Sequence, residues 1–439
     1  MNLWKQLWME RRNRLWVLPA LNSVIAVVVA LAAAWVPQLL PGMRLPVVEA
    51  KTLDNLLSVV ASSMLAVTTF SLSIMVSAFA SASSGVTPRA TELVMGDEGT
   101  RAAIANFLSA FMFSIVAQIA LGMRYYGDNG RFILFVSTCL VLAWLMFTLL
   151  RWVRTLSSLG RLGNTLARIE KAALEAMAGH WAEPFMGAQP GEADGRALEA
   201  AAGSVCVRAD DLRALRRVDV QGLQDWAAAH GCTVHVRVRA GEHVGPGRLL
   251  AVVVPDAGDG TAGSQAAAPD EDIEKAVRAC LQLDAERTFD QDPRFGIIVL
   301  REAAQRALSA AINDPGTALA CLNGIARVLL KGQQRGMALH DEAPSERLDR
   351  VTVPPLDVTE FLGDGFDPIA RDGAASFEVM LRMQKLLALI ADQSRDAALA
   401  ADARRRAVFA RDCGLQGLAQ AQDREVLGAL HRELFGAAG

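Results

Sequence analysis

NLLSVVASSMLAVTTFSLSIMVSAFASASSGVTP, residues 55–88, holds no charged side chain, and its reading decides the fold. As one helix at 1.5 Å per residue it would run about 50 Å, longer than the roughly 30 Å hydrocarbon core of a bilayer. It is therefore expected to cross a membrane over about residues 55–82, with its last turns projecting into the cytoplasm. Small and hydroxyl residues dominate it, and several recur four apart: Ser58 with Ser62, and Thr69, Ser73, Ser77 and Ser81. Two readings of this stripe stay open. Hydroxyls of this kind let membrane helices approach closely and bond a neighbour or their own i−4 carbonyl. Alternatively, in a ring of subunits, Ser58, Ser62, Thr69, Ser73, Ser77 and Ser81 would line a pore walled by neutral dipoles.

Three more apolar runs flank this one, at about 15–36, 102–123 and 132–153. Each reaches the roughly 20 residues needed to span. The first could instead be a cleavable signal, but its length and the spans behind it favour an uncleaved helix. Trp4, Trp8, Trp16, Trp35, Trp144 and Trp152 sit mostly near the ends of these runs, as an interfacial belt predicts. Basic residues crowd before the first run (Lys5, Arg11, Arg12, Arg14), around the loop after the second (Arg89, Arg101) and after the fourth (Arg151, Arg154, Arg161, Arg168). That bias places both termini inside, with Tyr125 and Tyr126 at the outer interface. No acid or base lies clearly within a run, which argues against ion-coupled pumping. Asn22 and Gln118 read as helix–helix contacts.

The whole chain of 439 residues is nearly neutral, with Lys+Arg 44 against Asp+Glu 47, so no nucleic-acid partner is expected. Mean hydropathy is +0.25, and the excess lies in the first third. The six cysteines are scattered without a CxxC pair, which speaks against a disulfide framework or a zinc ribbon. His235 and His243 straddle a turn but do not make a metal site by themselves.

Beyond the membrane third, residues 155–202 read as a helical connector and linker. Residues 203–255 read as a small β-rich module, with strands at 204–208, 232–239 and 249–254 and a largely helical stretch at 211–229. The turn Gly241-Glu242-His243-Val244-Gly245-Pro246-Gly247 resembles that of lipoyl- and biotin-carrier barrels. No lysine occurs between Lys171 and Lys275, so a prosthetic group is excluded and a non-catalytic barrel element remains. Residues 256–270 form an apparent flexible link. Residues 271–439 read as a helical cytoplasmic domain, with one helix ending near 330 and a helical tail from about 373. Within it, Arg287-Thr288-Phe289-Asp290-Gln291-Asp292-Pro293 and Ile312-Asn313-Asp314-Pro315-Gly316-Thr317-Ala318 each open a helix. Both Asp-Pro pairs fit an N-cap aspartate followed by proline. The alternative is that two helix N-termini and Arg287 converge on an anion, with Arg287, Thr288, Gln291, Asp292, Asn313, Asp314 and Thr317 forming a ligand or partner loop.

These motifs resemble a bacterial family of predicted membrane proteins, domain of unknown function 2254. The resemblance covers nearly the whole chain. It rests on the hydroxyl-rich helix entering Ser83-Ser84-Gly85-Val86-Thr87-Pro88-Arg89. Arg287-Thr288 with Gln291-Asp292 and Phe295-Gly296 also carry it, as do Ala307-Leu308-Ser309 with Asn313-Asp314-Pro315 and Thr317-Ala318. Where the family pattern has Pro-Gly and Phe, this chain holds Ala310-Ala311 and Gly316. The resemblance implies a bacterial inner-membrane location and brings no activity with it.

The expected fold is thus an α-helical membrane bundle of four transmembrane helices (1–154). An α+β cytoplasmic domain follows, with a small barrel-like β module and a helical C-terminal part. The expected function is a homo-oligomeric channel for an ion or small solute, with a cytoplasmic gating domain and no cofactor. A membrane-anchored scaffold or envelope-maintenance protein is the alternative. Catalysis is not expected, since there is no P-loop, Ser-His-Asp signature or zinc spacing; only Asp290 and Asp292 beside Arg287 offer acid–base groups.

Overall fold

The computed structural model describes residues 17–33, 35, 46–85, 87–90, 98–156, 161–191, 196–256, 270–342 and 348–436. The basic N-terminal segment and nearly all of the 256–270 link lie outside them. The chain divides into two compact units, Met1–Thr165 and Leu166–Gly439.

In the first unit, α1 (Val17–Ala32), α2 (Ala50–Gly85), α3 (Glu98–Gly122) and α4 (Asp128–Leu156) follow in order. Three of them hold stretches long and apolar enough to cross a membrane: Ala50–Ser81, Gly99–Gly122 and Asp128–Leu156. Four were expected. The described part of α1 has 16 residues, about 24 Å of helix, which falls short of the core thickness. Its expected flanks at 15, 16, 34 and 36 lie outside the described residues. Helix α3 packs against each of the other three. One core joins Ala30, Leu53, Leu57, Phe113, Ala117 and Leu134; another joins Val60, Phe107, Leu145 and Trp152. The Tyr126 hydroxyl donates to Ala30 O (2.8 Å), and Trp35 Nε1 donates to the Tyr125 hydroxyl (2.8 Å). Outward, large apolar groups such as Val28, Phe70, Leu140, Phe147 and Leu150 stay exposed, as suits a surface that meets lipid.

The second unit contains most of α5 (Leu162–Ala182), then β1 (Ala188–Pro190), α6 (Arg196–Glu199), β2 (Val205–Arg208) and β3 (Arg213–Val218). Next come α7 (Val220–His230), β4 (Cys232–Val236), β5 (His243–Val244), β6 (Leu249–Pro255), α8 (Asp270–Cys280) and β7 (Leu281–Asp284). The chain continues through α9 (Pro293–Leu308), α10 (Pro315–Glu342), β8 (Leu348–Val353) and α11 (Thr359–Asp372). It closes with α12 (Phe377–Gln393), α13 (Ala397–Gly417) and α14 (Ala421–Phe435).

The strands do not form the expected barrel. They make a five-stranded mixed sheet, β1-β8-β4-β6-β2, and a separate three-stranded sheet, β5-β3-β7. Strand β8 is the reason: it comes from a segment read as helical, pairs parallel to both β4 and β1, and keeps the sheet open. The stretch expected to be helical over 211–229 also divides. Residues 213–218 pair with β5 and β7 as a strand. The helix starts only where Asp219 accepts from Gly222 N (3.1 Å), and it stops at left-handed Gly231. Val234, Val236 and Val238 are buried, with Leu215, Leu223 and Val351 in the same core.

Helix α10 has 28 residues and runs twelve beyond the expected end near Leu330. It packs back on α9, and its glycines set how closely it lies against α5. A β-carbon at Gly332 or Gly336 would come within 3.0 Å of Met177 or Trp181 atoms of α5, and one at Gly296 of α9 would meet Ala173. Small residues thus let α9 and α10 close onto α5. Arg327 fixes the same contact, donating through Nε and Nη2 to Glu170 (both 2.6 Å).

Candidate functional site

Helix α2 buries Leu53, Leu57, Val60, Ala61, Ser71 and Ala78. At 100° per residue, which 3.6 residues per turn gives, Ser58, Ser62, Thr69, Ser73 and Ser77 lie on the opposite side, and the stripe drifts to the flank of the packing face at Ser81. All six are exposed in the single chain. Ser62 donates to Ser58 O (2.9 Å), Thr69 to Leu65 O (2.9 Å) and Ser73 to Thr69 O (3.1 Å). Such back-bonding satisfies the hydroxyl's donor while leaving its oxygen lone pairs outward. Val59, Leu65, Phe70 and Val76 share the exposed side, so the face is amphipathic.

In the second unit the Arg287–Phe295 motif builds a buried polar junction at the start of α9. Asp292, 1% exposed, caps the helix by accepting from Arg294 N (3.1 Å) and Phe295 N (3.2 Å). The same carboxylate accepts from Arg287 Nε and Nη2 at 2.7 Å. Burial pushes its pKa up, against the pull of Arg287 and the two amides. Arg287 also lies over the Phe295 ring, 5.4 Å from its centroid. Gln291 works as a strand partner: its Oε1 accepts from Val218 N (2.8 Å) and its Nε2 donates to Val218 O (3.1 Å). Thr288 is buried.

The second motif sits elsewhere. Asp314 accepts from Thr317 N (3.0 Å) and from the Thr317 hydroxyl (2.6 Å), which hold its pKa below the usual carboxylate range. Asn313 takes the left-handed conformation (φ 50°) that turns the chain from α9 into α10. Asp292 precedes α9 and Asp314 follows it, so a helix of 16 residues, about 24 Å, separates them. The two caps are not brought to one ligand, and Arg287 belongs to the first alone.

Sequence reading gave no role to two further groups of this unit. Arg239, 7% exposed, donates to Pro184 O (3.0 Å) and Pro354 O (3.3 Å), while its backbone N–H meets Glu242 Oε1 (2.8 Å). Burial lowers its pKa to about 10. His180 of α5 stands near it, edge-on to Phe361 at 5.8 Å, and burial followed by the Arg239 charge lowers its pKa to about 4. The only signal in the sequence was the Gly241-Glu242 turn, which carries no hint of its distant partners.

Three apolar helices of spanning length, with a mixed α/β unit after them in the chain, define a membrane protein that carries a large α/β unit. The chain belongs to the family described as "Predicted membrane protein (DUF2254)", which it matches over residues 12–389, through both units. It is similar to uncharacterized proteins of Mycobacterium tuberculosis (strains CDC 1551 / Oshkosh and H37Rv) and Mycobacterium bovis, at 28% identity over 184 residues. That stretch is 42% of this chain and 34% of each relative, so it spans about a third of their length. No solved structure matches the chain.

Proposed function

We propose that this protein is the subunit of a non-enzymatic, homo-oligomeric membrane channel. Copies of α2 turn their hydroxyl stripe toward a shared axis, and the α/β unit acts as a cytoplasmic gating or regulatory domain. The observation that carries this reading is the side of α2 on which the stripe lies. Ser58, Ser62, Thr69, Ser73 and Ser77 are exposed opposite the helix's own packing face, where further copies or water can meet them. A lumen walled this way offers dipoles without fixed charge, which suits passive movement of an ion or small solute. The scaffold alternative placed recognition on Arg287, Thr288, Gln291, Asp292, Asn313, Asp314 and Thr317. Most of these side chains are engaged in capping and docking their own helices, which lends it little support.

The test is reconstitution of the purified chain into liposomes. Single-channel conductance or solute flux is expected, reduced by Ser73→Leu with Ser77→Leu. Ser77→Cys, in a background lacking the exposed Cys139, should react with a charged thiol reagent and crosslink between copies. A monomer without flux, unaffected by these changes, would remove the channel reading.

A further inference from the structure

A groove of about 500 Å³ runs along the crease between α10 and α12, on the side of α10 away from the glycine contacts with α5. That volume lies in the range of small-molecule sites, roughly 300–1,000 Å³. Four cations line it: Arg327, Lys331 and Arg382 from the two helices, and Arg395 just beyond α12. No carboxylate is among the lining residues. Arg327 is occupied by Glu170, and Arg382 Nε donates to Asn323 Oδ1 (2.7 Å). Among the described residues no carboxylate pairs with Lys331 or with the Arg395 side chain. Among the described residues, two of the four charges thus have no paired counter-charge.

Gln333 adds an independent observation. It lines the groove, is 2% exposed, and its Oε1 accepts from Arg395 N (2.9 Å). That amide fixes which end of the side chain is oxygen, because a flipped Gln333 would set two donors against each other. Its Nε2 is buried with no hydrogen-bond partner among the described residues. A buried amide donor left unmade is costly, so Gln333 Nε2 favours a neighbour that brings an acceptor. Leu330, Leu386 and Leu389 supply an apolar wall beside the charges.

We propose that this groove binds a phosphate-bearing ligand. Gln333 Nε2 and the Lys331 and Arg395 cations would donate to phosphate oxygens, and the leucines would cover an organic moiety. A phosphate presents acceptors in several directions to a guanidinium fork, an ammonium and an amide at once. The proposal does not rest on the channel reading, because binding is measured without transport.

Full-length protein in nonionic detergent would be titrated with inorganic pyrophosphate and with ADP by calorimetry. The same protein in nanodiscs would be compared with and without phosphatidylglycerol. Saturable binding of either soluble probe is expected, weakened at least about tenfold by Lys331→Ala with Arg395→Ala and also by Gln333→Met, since each charge-assisted bond is worth roughly that factor. If only phosphatidylglycerol raises the thermal unfolding temperature, and the double variant abolishes that rise, the phosphate comes from a lipid headgroup and the site stands. Lys385→Ala, outside the groove lining, controls for net charge and should leave the affinity unchanged. No binding of any probe, or equal binding by wild type and the double variant, would overturn the proposal.

Discussion

Gly241 lies so close to Asp292 that a β-carbon on it would fall within 3.0 Å of all three atoms of the carboxyl group. Its φ of 93° is also one that side-chain-bearing residues rarely adopt. The carboxylate cannot retreat, because two amides and Arg287 hold it in place. Gly241→Ala therefore meets both left-handed strain, about 1–2 kcal/mol, and overpacking, about 1–3 kcal/mol. Thermal unfolding of the full chain in detergent should show a clear loss of stability. Gly245→Ala, with open space around its α-carbon, is the control and should be near neutral. Equal unfolding temperatures for the two variants would contradict this account.

The ion pair behind that contact makes a second prediction. Asp292→Asn keeps an N-cap acceptor but leaves the 15%-exposed Arg287 side chain without its counter-charge. Breaking a buried pair at one end costs about 3–5 kcal/mol, whereas removing both charges costs much less. Arg287→Met with Asp292→Asn should thus be more stable than Asp292→Asn alone. A cycle of the single and double variants, read by thermal unfolding, checks the sign of the coupling. Strict additivity would mean that the pair contributes nothing.

What the sequence revealed here was local. The Asp-Pro dipeptides announced their caps, and the uncharged run 55–88 announced α2 with its hydroxyl side. The misses came from distant partners. Strand β3 (Arg-Ala-Leu-Arg-Arg-Val) has too many charges for a clean alternation and becomes a strand only because β5 and β7 pair with it. The turn at Gly241 looked like a barrel turn, but β8, over a hundred residues on, pairs with β4 and sets the sheet's order. His180 and Arg239 are far apart in sequence and meet only in the folded unit, so neither stood out.

Gly332 and Gly336 lie inside α10, where glycine lowers helix propensity by about 1 kcal/mol each relative to alanine. On an exposed helix, alanine would therefore stabilise. Here the opposite is expected, because a β-carbon at Gly336 would fall within 3.0 Å of Trp181 Cβ and Ala178 O, and one at Gly332 within 3.0 Å of Met177. Gly336→Ala should destabilise by about 1–3 kcal/mol. Gly428→Ala in α14, where a β-carbon would lie 3.7 Å from the flexible end of Arg432, should be neutral or gain stability. The opposite signs of these two substitutions distinguish packing from propensity. If both stabilise, α10 does not press on α5 at this point.

His180 gives the pH dependence a direction. Burial, helped by the Arg239 charge, lowers its pKa from the ordinary 6.5 to about 4, so the folded unit holds it neutral. Above pH 6.5 neither the folded nor the unfolded chain protonates it, and its contribution is fully retained. Between 6.5 and 4 the unfolded chain takes up a proton that the folded chain refuses, so stability falls as pH falls. The whole window corresponds to about 3 kcal/mol at 1.36 kcal/mol per unit. His180→Phe removes the titration and keeps an aromatic ring against Phe361 and Trp181. Carboxylates elsewhere titrate alike in both proteins, so the difference between their unfolding temperatures isolates His180. From pH 7.5 to 4.5 the wild type should lose more stability than His180→Phe. Parallel pH profiles would show that the ring is already free to protonate in the folded state.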